Sequence, residues 1–468
     1  MLRSSARHAD PGRLAVADRM RVKLRRGLDI PIPGAPRQTI ERAPETRSVA
    51  LLGHDLPRAH YVLRVSPDDR VRTGQVLFVD RRRPEVVFTS PASGVVTRTQ
   101  HGDGREPIAV VIEVDAREEA GAGPSEVFPA CPLEEAVRLD RAEVTRRLLA
   151  AGEWPSLRVR PFGSIPDPGS VPDALFIRAM DTSPLAPRAS VVWSDRLDDF
   201  RIGTAVLSRL HDGPVFVCCD PGSDPPVADL DRVRVVQFEG PHPAGLAGTH
   251  IHHLFPIRDG RAVWYLGYQE TLAIGHLFRT GRVDLERVVA LAGPLVRNPR
   301  LLRTRVGSST EDLVRDELLP GECRIISGSL LSGRRAATAE SHLGRGHEQI
   351  SVVPEEPDHR KTSWLLPGLL GARRVPPWRR PAGNTTALHG AARAMLPLHL
   401  FENAVPLRIP ITLLLRSLAA GDFESARAFG ALELEEEDLA LCSYLCAAKL
   451  EYGELLRSAL DAFGAGPR

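Results

Sequence analysis

The chain has 468 residues, 43% of them hydrophobic, with Lys+Arg 61 against Asp+Glu 59 and a net charge of +2. That length is about three common domains, and the balanced charge gives no basic field for nucleic acid. Apolar runs stay below the roughly 18 residues of a membrane span. Lysine occurs at Lys23, Lys361 and Lys449, none after a glycine, which excludes a Gly-Lys-Ser/Thr phosphate loop.

Residues 1–19 carry Arg3, Arg7, Arg13 and Arg19 without apolar periodicity. They read as a disordered tail or an ill-placed start, with Met20 the natural beginning. Residues 20–120 read as short strands split by turns: Val76–Val79, Glu85–Phe88 and Ile108–Val114, punctuated by Ser66-Pro67-Asp68-Asp69, Pro91-Ala92-Ser93-Gly94 and Gly102-Asp103-Gly104. The order resembles a biotinyl/lipoyl carrier, a barrel-sandwich fold that presents a modified lysine on the hairpin between two of its strands. Here that hairpin is Asp80-Arg81-Arg82-Arg83-Pro84. Arginine stays protonated and forms no amide with lipoate or biotin, so a swinging arm is excluded.

Residues 130–258 alternate helical and extended patterns, with strands expected at Ala174–Ile177, Val215–Cys219 and Val233–Phe238 and a helix at Phe200–Leu210. This is the signature of a Rossmann-like α/β domain with parallel strands. No G-x-G-x-x-G follows any of them, so the usual dinucleotide site is not supported. Residues 259–345 read as a small β-grasp-like sheet, with strands at Val263–Leu266, Val288–Leu291, Leu301–Arg305 and Arg324–Ile326, and a helix from a Ser309/Asp312 capping box to Leu318. Residues 346–404 read as a linker and partner-contact segment. Residues 405–468 form a helical domain, with helices expected at Leu407–Leu418, Phe423–Phe429, Glu435–Leu450 and Glu454–Phe463. The fold class is therefore α/β multidomain.

Six cysteines in so long a chain are no disulfide framework, which suits a reducing, cytoplasmic setting. His242, His250, His252 and His253 crowd one stretch. In an extended segment His250 and His252 would share a face, yet no third ligand stands at a metal spacing. No metal site is expected. Cys442 and Cys446, four apart on a helix, cannot hold an iron–sulfur cluster alone and read as core thiols or the remnant of such a site. The acidic run Glu433, Glu435, Glu436, Glu437 and Asp438 reads as a solvated helix start.

Several long segments, in order, resemble one family: Gly27-Leu28-Asp29-Ile30-Pro31-Ile32-Pro33-Gly34-Ala35-Pro36, Phe88–Gly94, Arg160-Pro161-Phe162, Ala179–Leu185, Gly240–His252, Asn298–Leu301, Ile326–Arg334 and Leu432–Cys442. They are similar to the A subunit of the sodium-translocating NADH:quinone reductase, over about Met20 to Leu456. The resemblance implies a peripheral component on the cytoplasmic face of the bacterial inner membrane. Five other subunits, chiefly membrane-embedded, would complete a complex that oxidises NADH, reduces ubiquinone and exports sodium. NADH, FAD, FMN and the iron–sulfur centre would then belong to partners, and this chain would hold no tightly bound cofactor and catalyse nothing alone. The family also resembles flavin- and cluster-bearing subunits of Rnf-type and respiratory complex I enzymes with both cofactor sites lost. The competing expectation is a pure assembly scaffold of this or an Rnf-type complex. Gly346, the segment Ser363–Arg380 and Cys446-Ala447-Ala448-Lys449 depart from the family pattern.

Two sets of residues stand out as candidate surfaces. Arg160, Phe162, His242, His250 and His252 are expected to face quinone or a partner, against the blander expectation of loop packing between domains. Arg373, Arg374, Trp378, Arg379 and Arg380 are expected to dock on a membrane partner or lipid, where Trp and Arg suit the head-group layer.

Overall fold

The computed structural model describes residues 20–53, 61–101, 107–115, 123–258, 260–355, 386, 394, 395 and 399–464. The candidate docking residues Arg373, Arg374, Trp378, Arg379 and Arg380 and the segment 1–19 lie outside them. Among the described residues no helix is long and apolar enough to cross a membrane.

The N-terminal unit is the expected barrel sandwich. Strands Ser48–Leu52, Pro107–Val114, Gly94–His101 and Arg70–Val71 form one sheet, and Tyr61–Leu63, Val76–Asp80 and Val87–Thr89 the other. Their inward residues, among them Val49, Leu51, Leu77, Phe88, Val96 and Ile112, meet in one core, where Phe78 stacks on Phe88 at 4.9 Å. That core runs on without a break into the next domain through Leu148, Trp154, Leu175 and Trp264. The hairpin that carriers hold free is tied down. Arg83 pairs with the buried Asp80 at 3.0 Å and donates to the Ile165 carbonyl at 2.9 Å.

The α/β domain holds a six-stranded sheet in the order Met20–Lys23, Val233–Glu239, Val215–Cys219, Ala174–Ala179, Val263–Gly267, Arg158–Arg160. All neighbours are parallel except the last pair. Two elements of this sheet depart from the sequence expectation, as does Arg37–Arg42, which leaves the barrel sandwich to pair in parallel with Arg300–Arg305. Val263–Gly267, expected in the β-grasp-like unit, pairs with Ala174–Ala179, and Met20–Lys23 leaves the barrel sandwich to edge this sheet. An apolar run such as Val263-Trp264-Tyr265-Leu266 declares burial on both faces but not which sheet receives it. Helices Leu197–Leu207 and Tyr268–Thr280 pack together in near backbone contact. A Cβ on Gly275 would stand 1.7 Å from the Asp199 carbonyl oxygen, so only glycine fits.

The β-grasp-like unit is a second six-stranded sheet, in the order Arg334–Arg335, Cys323–Ser327, Gln349–Pro354, Glu286–Ala292, Arg300–Arg305, Arg37–Arg42. Gln349–Pro354 is interior to it and almost wholly buried, not part of a linker. Ser309 Oγ accepts from the Asp312 amide as the capping box requires, but the helix stops at Val314 rather than Leu318. Arg315 leaves the helical region at ψ 127° and Asp316 follows at φ 61°, so a turn closed by the Glu317 amide on the Val314 carbonyl ends it. The C-terminal helices Leu400–Ala404, Ile411–Ala420, Phe423–Ala428, Ala440–Leu445 and Tyr452–Gly464 have their own core of Leu414, Leu418, Tyr452, Leu456 and both cysteines, with Ile30 pressed against it. The single helix expected over Glu435–Leu450 is instead a 3-10 turn at Glu436–Leu439 and a short helix ending at the extended Cys446.

Candidate functional site

Arg160 ends the edge strand of the α/β sheet and is fully buried. A buried guanidinium requires counter-charge, because its desolvation costs several kcal/mol. Asp438 supplies it at 2.7 Å, Glu435 Oε1 stands 3.1 Å from Nε, and the Glu433 carbonyl accepts at 2.6 Å. The Tyr265 ring lies 5.5 Å beneath the guanidinium, and its hydroxyl donates to Glu435 Oε2. Burial alone would lower the arginine's pKa, but Asp438 and Glu435 outweigh it and hold the charge firmly. Glu435 is itself pushed up by burial. The acidic run is therefore no solvated helix start: Glu435 and Asp438 are buried, closing the helical domain onto the α/β domain. Asp438 also packs against the first turn of helix Ala247–Leu254, where a Cβ on Gly248 would stand 2.2 Å from Oδ1. A carboxylate suits that helix end.

The histidines lie along the same seam. Residues 247–254 are helical rather than extended, so His250 and His252, two apart, do not share a face. His250 is buried, donates Nε2–H to the Ala244 carbonyl at 2.9 Å, and is pushed down to about 3 by that burial. His252 accepts the Arg408 amide on Nε2, which leaves Nδ1–H to donate to Glu433 at 2.7 Å. His253 bonds the Pro406 carbonyl at 3.1 Å. His242 lies beside Thr182 Oγ1 at 3.2 Å, while its amide donates to Asp29 and its carbonyl accepts from Leu28. Gly27, at φ 132°, allows that approach, since a Cβ there would stand 2.3 Å from the His242 carbonyl oxygen. Phe162, at φ 90°, packs on the helical core while its carbonyl accepts from Arg457 at 2.7 Å. The sequence candidates Arg160, Phe162, His242, His250 and His252 are thus brought together, but as an internal seam rather than an exposed surface. No group of three or more His, Cys, Asp or Glu among the described residues could hold a metal ion.

Sequence reasoning missed the other half of the cluster. From Ala174–Ala179 the chain steps outward to Val215–Cys219 and Val233–Glu239, then returns to Val263–Gly267 on the opposite side. Open α/β sheets bind ligands at the carboxyl ends of strands flanking such a reversal. Here that crevice holds Arg178, Asp181, Tyr268 and Glu348. Arg178 pairs with Asp181 at 3.0 Å and lies 3.5 Å from Glu348. Burial would raise Asp181, but Arg178 and the Ser183 amide overcome it and keep the carboxylate ionised. One signal was available: Arg178 interrupts a fully apolar strand, and a charge at such a position requires a buried partner.

Barrel sandwich, α/β sheet, β-grasp-like sheet and helical domain define a class of multidomain α/β scaffold whose strand-reversal crevice is filled by its own side chains. Residues 22–115 match the NqrA N-terminal barrel-sandwich hybrid domain, 139–283 the NqrA second alpha/beta domain and 288–338 the NQRA C-terminal domain. The A subunit of the Na(+)-translocating NADH-quinone reductase from Histophilus somni strain 2336 is 43% identical over 448 residues, 94% of this chain and 98% of its own. Those of Pseudomonas aeruginosa and Tolumonas auensis are 44% and 45% identical, with the same shares covered. The chain belongs to the NqrA family, the A subunits of the Na(+)-translocating NADH-quinone reductase.

Proposed function

We propose that the chain works as the A subunit of a sodium-translocating NADH:quinone reductase, in which NADH oxidation and quinone reduction drive sodium export. Identity above 40% sustained over 94% of the chain carries this reading, because it spans all the units described above. In this reading the chain has a positioning role and is not catalytic alone. NADH, FAD, FMN and the iron–sulfur centre reside on partner subunits, five in all and chiefly membrane-embedded, and the chain lies against the cytoplasmic face of the inner membrane. Two features support assigning the cofactors elsewhere. The strand-to-helix turns lack the glycine fingerprint, and the crevice at the strand reversal is taken by Arg178, Tyr268 and Glu348. Arg160, Phe162, His242, His250 and His252 serve to fix the domains relative to one another rather than to contact ubiquinone.

Reconstitution tests this. Complex assembled without the chain should oxidise NADH with an artificial acceptor yet fail to reduce ubiquinone or move sodium, and adding the purified chain should restore both. Full sodium-coupled ubiquinone reduction without the chain would overturn the assignment.

A further inference from the structure

Glu348 precedes a strand of the β-grasp-like sheet but reaches into the other domain. Its Oε1 lies 3.5 Å from Arg178 Nη2 and would be 3.6 Å from a Cβ on Gly267, at the carboxyl ends of Ala174–Ala179 and Val263–Gly267. The residue is 7% exposed, and neither carboxyl oxygen has a hydrogen-bond partner of good geometry among the described residues. The groups facing it are Arg178 from the central strand, Asp181 just beyond it, and Tyr268 and Glu270 from the helix that follows Gly267. Glu437 of the acidic turn faces the same Arg178. The adjacent His347 bonds Ser327 Oγ at 2.8 Å, within the β-grasp-like unit.

Arg178 is already matched by the ionised Asp181, so a second buried carboxylate beside it has no counter-charge to itself. A carboxyl so placed is retained as the neutral acid, since a buried carboxylate that must share its one cation with Asp181 is more costly. Burial pushes Glu348 up to about 8, against the lowering effect of Arg178. An opened seam would return the group to water and to the ordinary carboxylate range.

We propose that Glu348 is a proton-operated switch between the α/β and β-grasp-like domains: as the neutral acid it lets the seam close over the strand-reversal crevice, and as the carboxylate it parts the seam. The switch stands on this chain's own geometry and does not depend on the reductase assignment. The direction follows from linkage. The closed state holds a proton that the open state releases, so closure is fullest at acid pH and weakens as pH rises toward about 8. Above that value both states are ionised and the dependence levels off.

The test is hydrogen exchange on the full chain from pH 6 to 9, followed by mass spectrometry and corrected for intrinsic chemical rates. Peptides covering 263–280 and 344–354 should lose protection by about tenfold per pH unit up to pH 8 and then flatten, as release of one proton requires. Glu348→Gln should abolish the slope and hold protection at pH 8 near its pH 6 value. Glu454→Gln, on an exposed turn of the C-terminal helix, should keep the unaltered slope. Should Glu348→Gln fail to accumulate, Glu348→Met, also uncharged and of similar length, takes its place. A flat profile in the unaltered chain, or equal slopes with and without the Glu348 carboxyl, overturns the proposal.

Discussion

Arg160 Nη1 and Asp438 Oδ2 meet at 2.7 Å although 278 positions separate them in the chain. The pair fastens the last strand of the α/β sheet to the helical domain, and Glu435 and Tyr265 complete its surroundings. Its energetics follow from burial: removing Arg160 leaves Asp438 and Glu435 without their cation, whereas removing Asp438 leaves Arg160 still facing Glu435.

Arg160→Ala should therefore destabilise the chain by about 3–5 kcal/mol, the range for breaking one side of a buried ion pair. Asp438→Asn should cost less, because Glu435 still faces the guanidinium. Urea denaturation of both single variants and the double variant measures this. Strict additivity would show that the two residues are not energetically coupled.

Gly275→Ala tests the helix pair beneath the sheet. The added methyl would collide with the Asp199 carbonyl, a backbone atom that cannot rotate away. A loss of about 3 kcal/mol or an insoluble product is expected. A thermal midpoint equal to that of the unaltered chain would show that the helices separate freely.

Acid should unfold the chain through the seam histidines. Burial holds His250 at about 3, and His242 and His253 move the same way for the same reason. An unfolded histidine titrates near 6.5. Between about 6.5 and 3 the unfolded chain therefore binds a proton at His250 that the folded chain does not. Stability should fall as pH drops below 6.5, by up to about 1.4 kcal/mol per unit for this residue. His250→Gln should show a shallower acid limb in urea midpoints recorded at pH 7, 6 and 5, and an unchanged limb would assign acid lability elsewhere.

The Asp80–Pro84 hairpin should remain unmodified even when given a lysine. Arg82→Lys, at an exposed position of the turn, restores the acceptor chemistry, but Arg83 still ties the hairpin to Asp80 and to the Ile165 carbonyl. Intact mass should equal that of the bare polypeptide for both the unaltered chain and the variant. A lipoyl or biotinyl increment mapping to residues 76–90 would contradict this.

Arg373, Arg374, Arg379 and Arg380, changed together to Gln, should let salt wash the chain from membranes more readily. Each cation at an anionic surface contributes about 1 kcal/mol, screened by salt. Release at the same salt concentration as the unaltered chain would remove the docking role.

The local units and the family were legible in the amino-acid sequence. Val76–Val79, Val215–Cys219 and Val233–Phe238 became strands because β-branched runs between turn residues have few other stable states. Asp422 and Ser309 capped helices where their side chains could reach an amide three residues on. The Asp80–Pro84 hairpin and its missing lysine were legible for the same reason, since both depend on residues within a few positions. Contacts between segments far apart in the chain were not legible there and were set by packing. The acidic run reads as solvated until Arg160 arrives from another domain. Val263–Gly267 reads as a strand of unspecified allegiance until Ala174–Ala179 pairs with it. The stretch around Gly245, Gly248 and four histidines has poor helix propensity, yet residues 247–254 coil because burial of Ile251 and contact with the helical domain outweigh that local preference. Local pattern records what each segment must bury; the partner it buries against is set by packing between segments far apart in the chain, and Glu348 acquires its unusual chemistry from that packing alone.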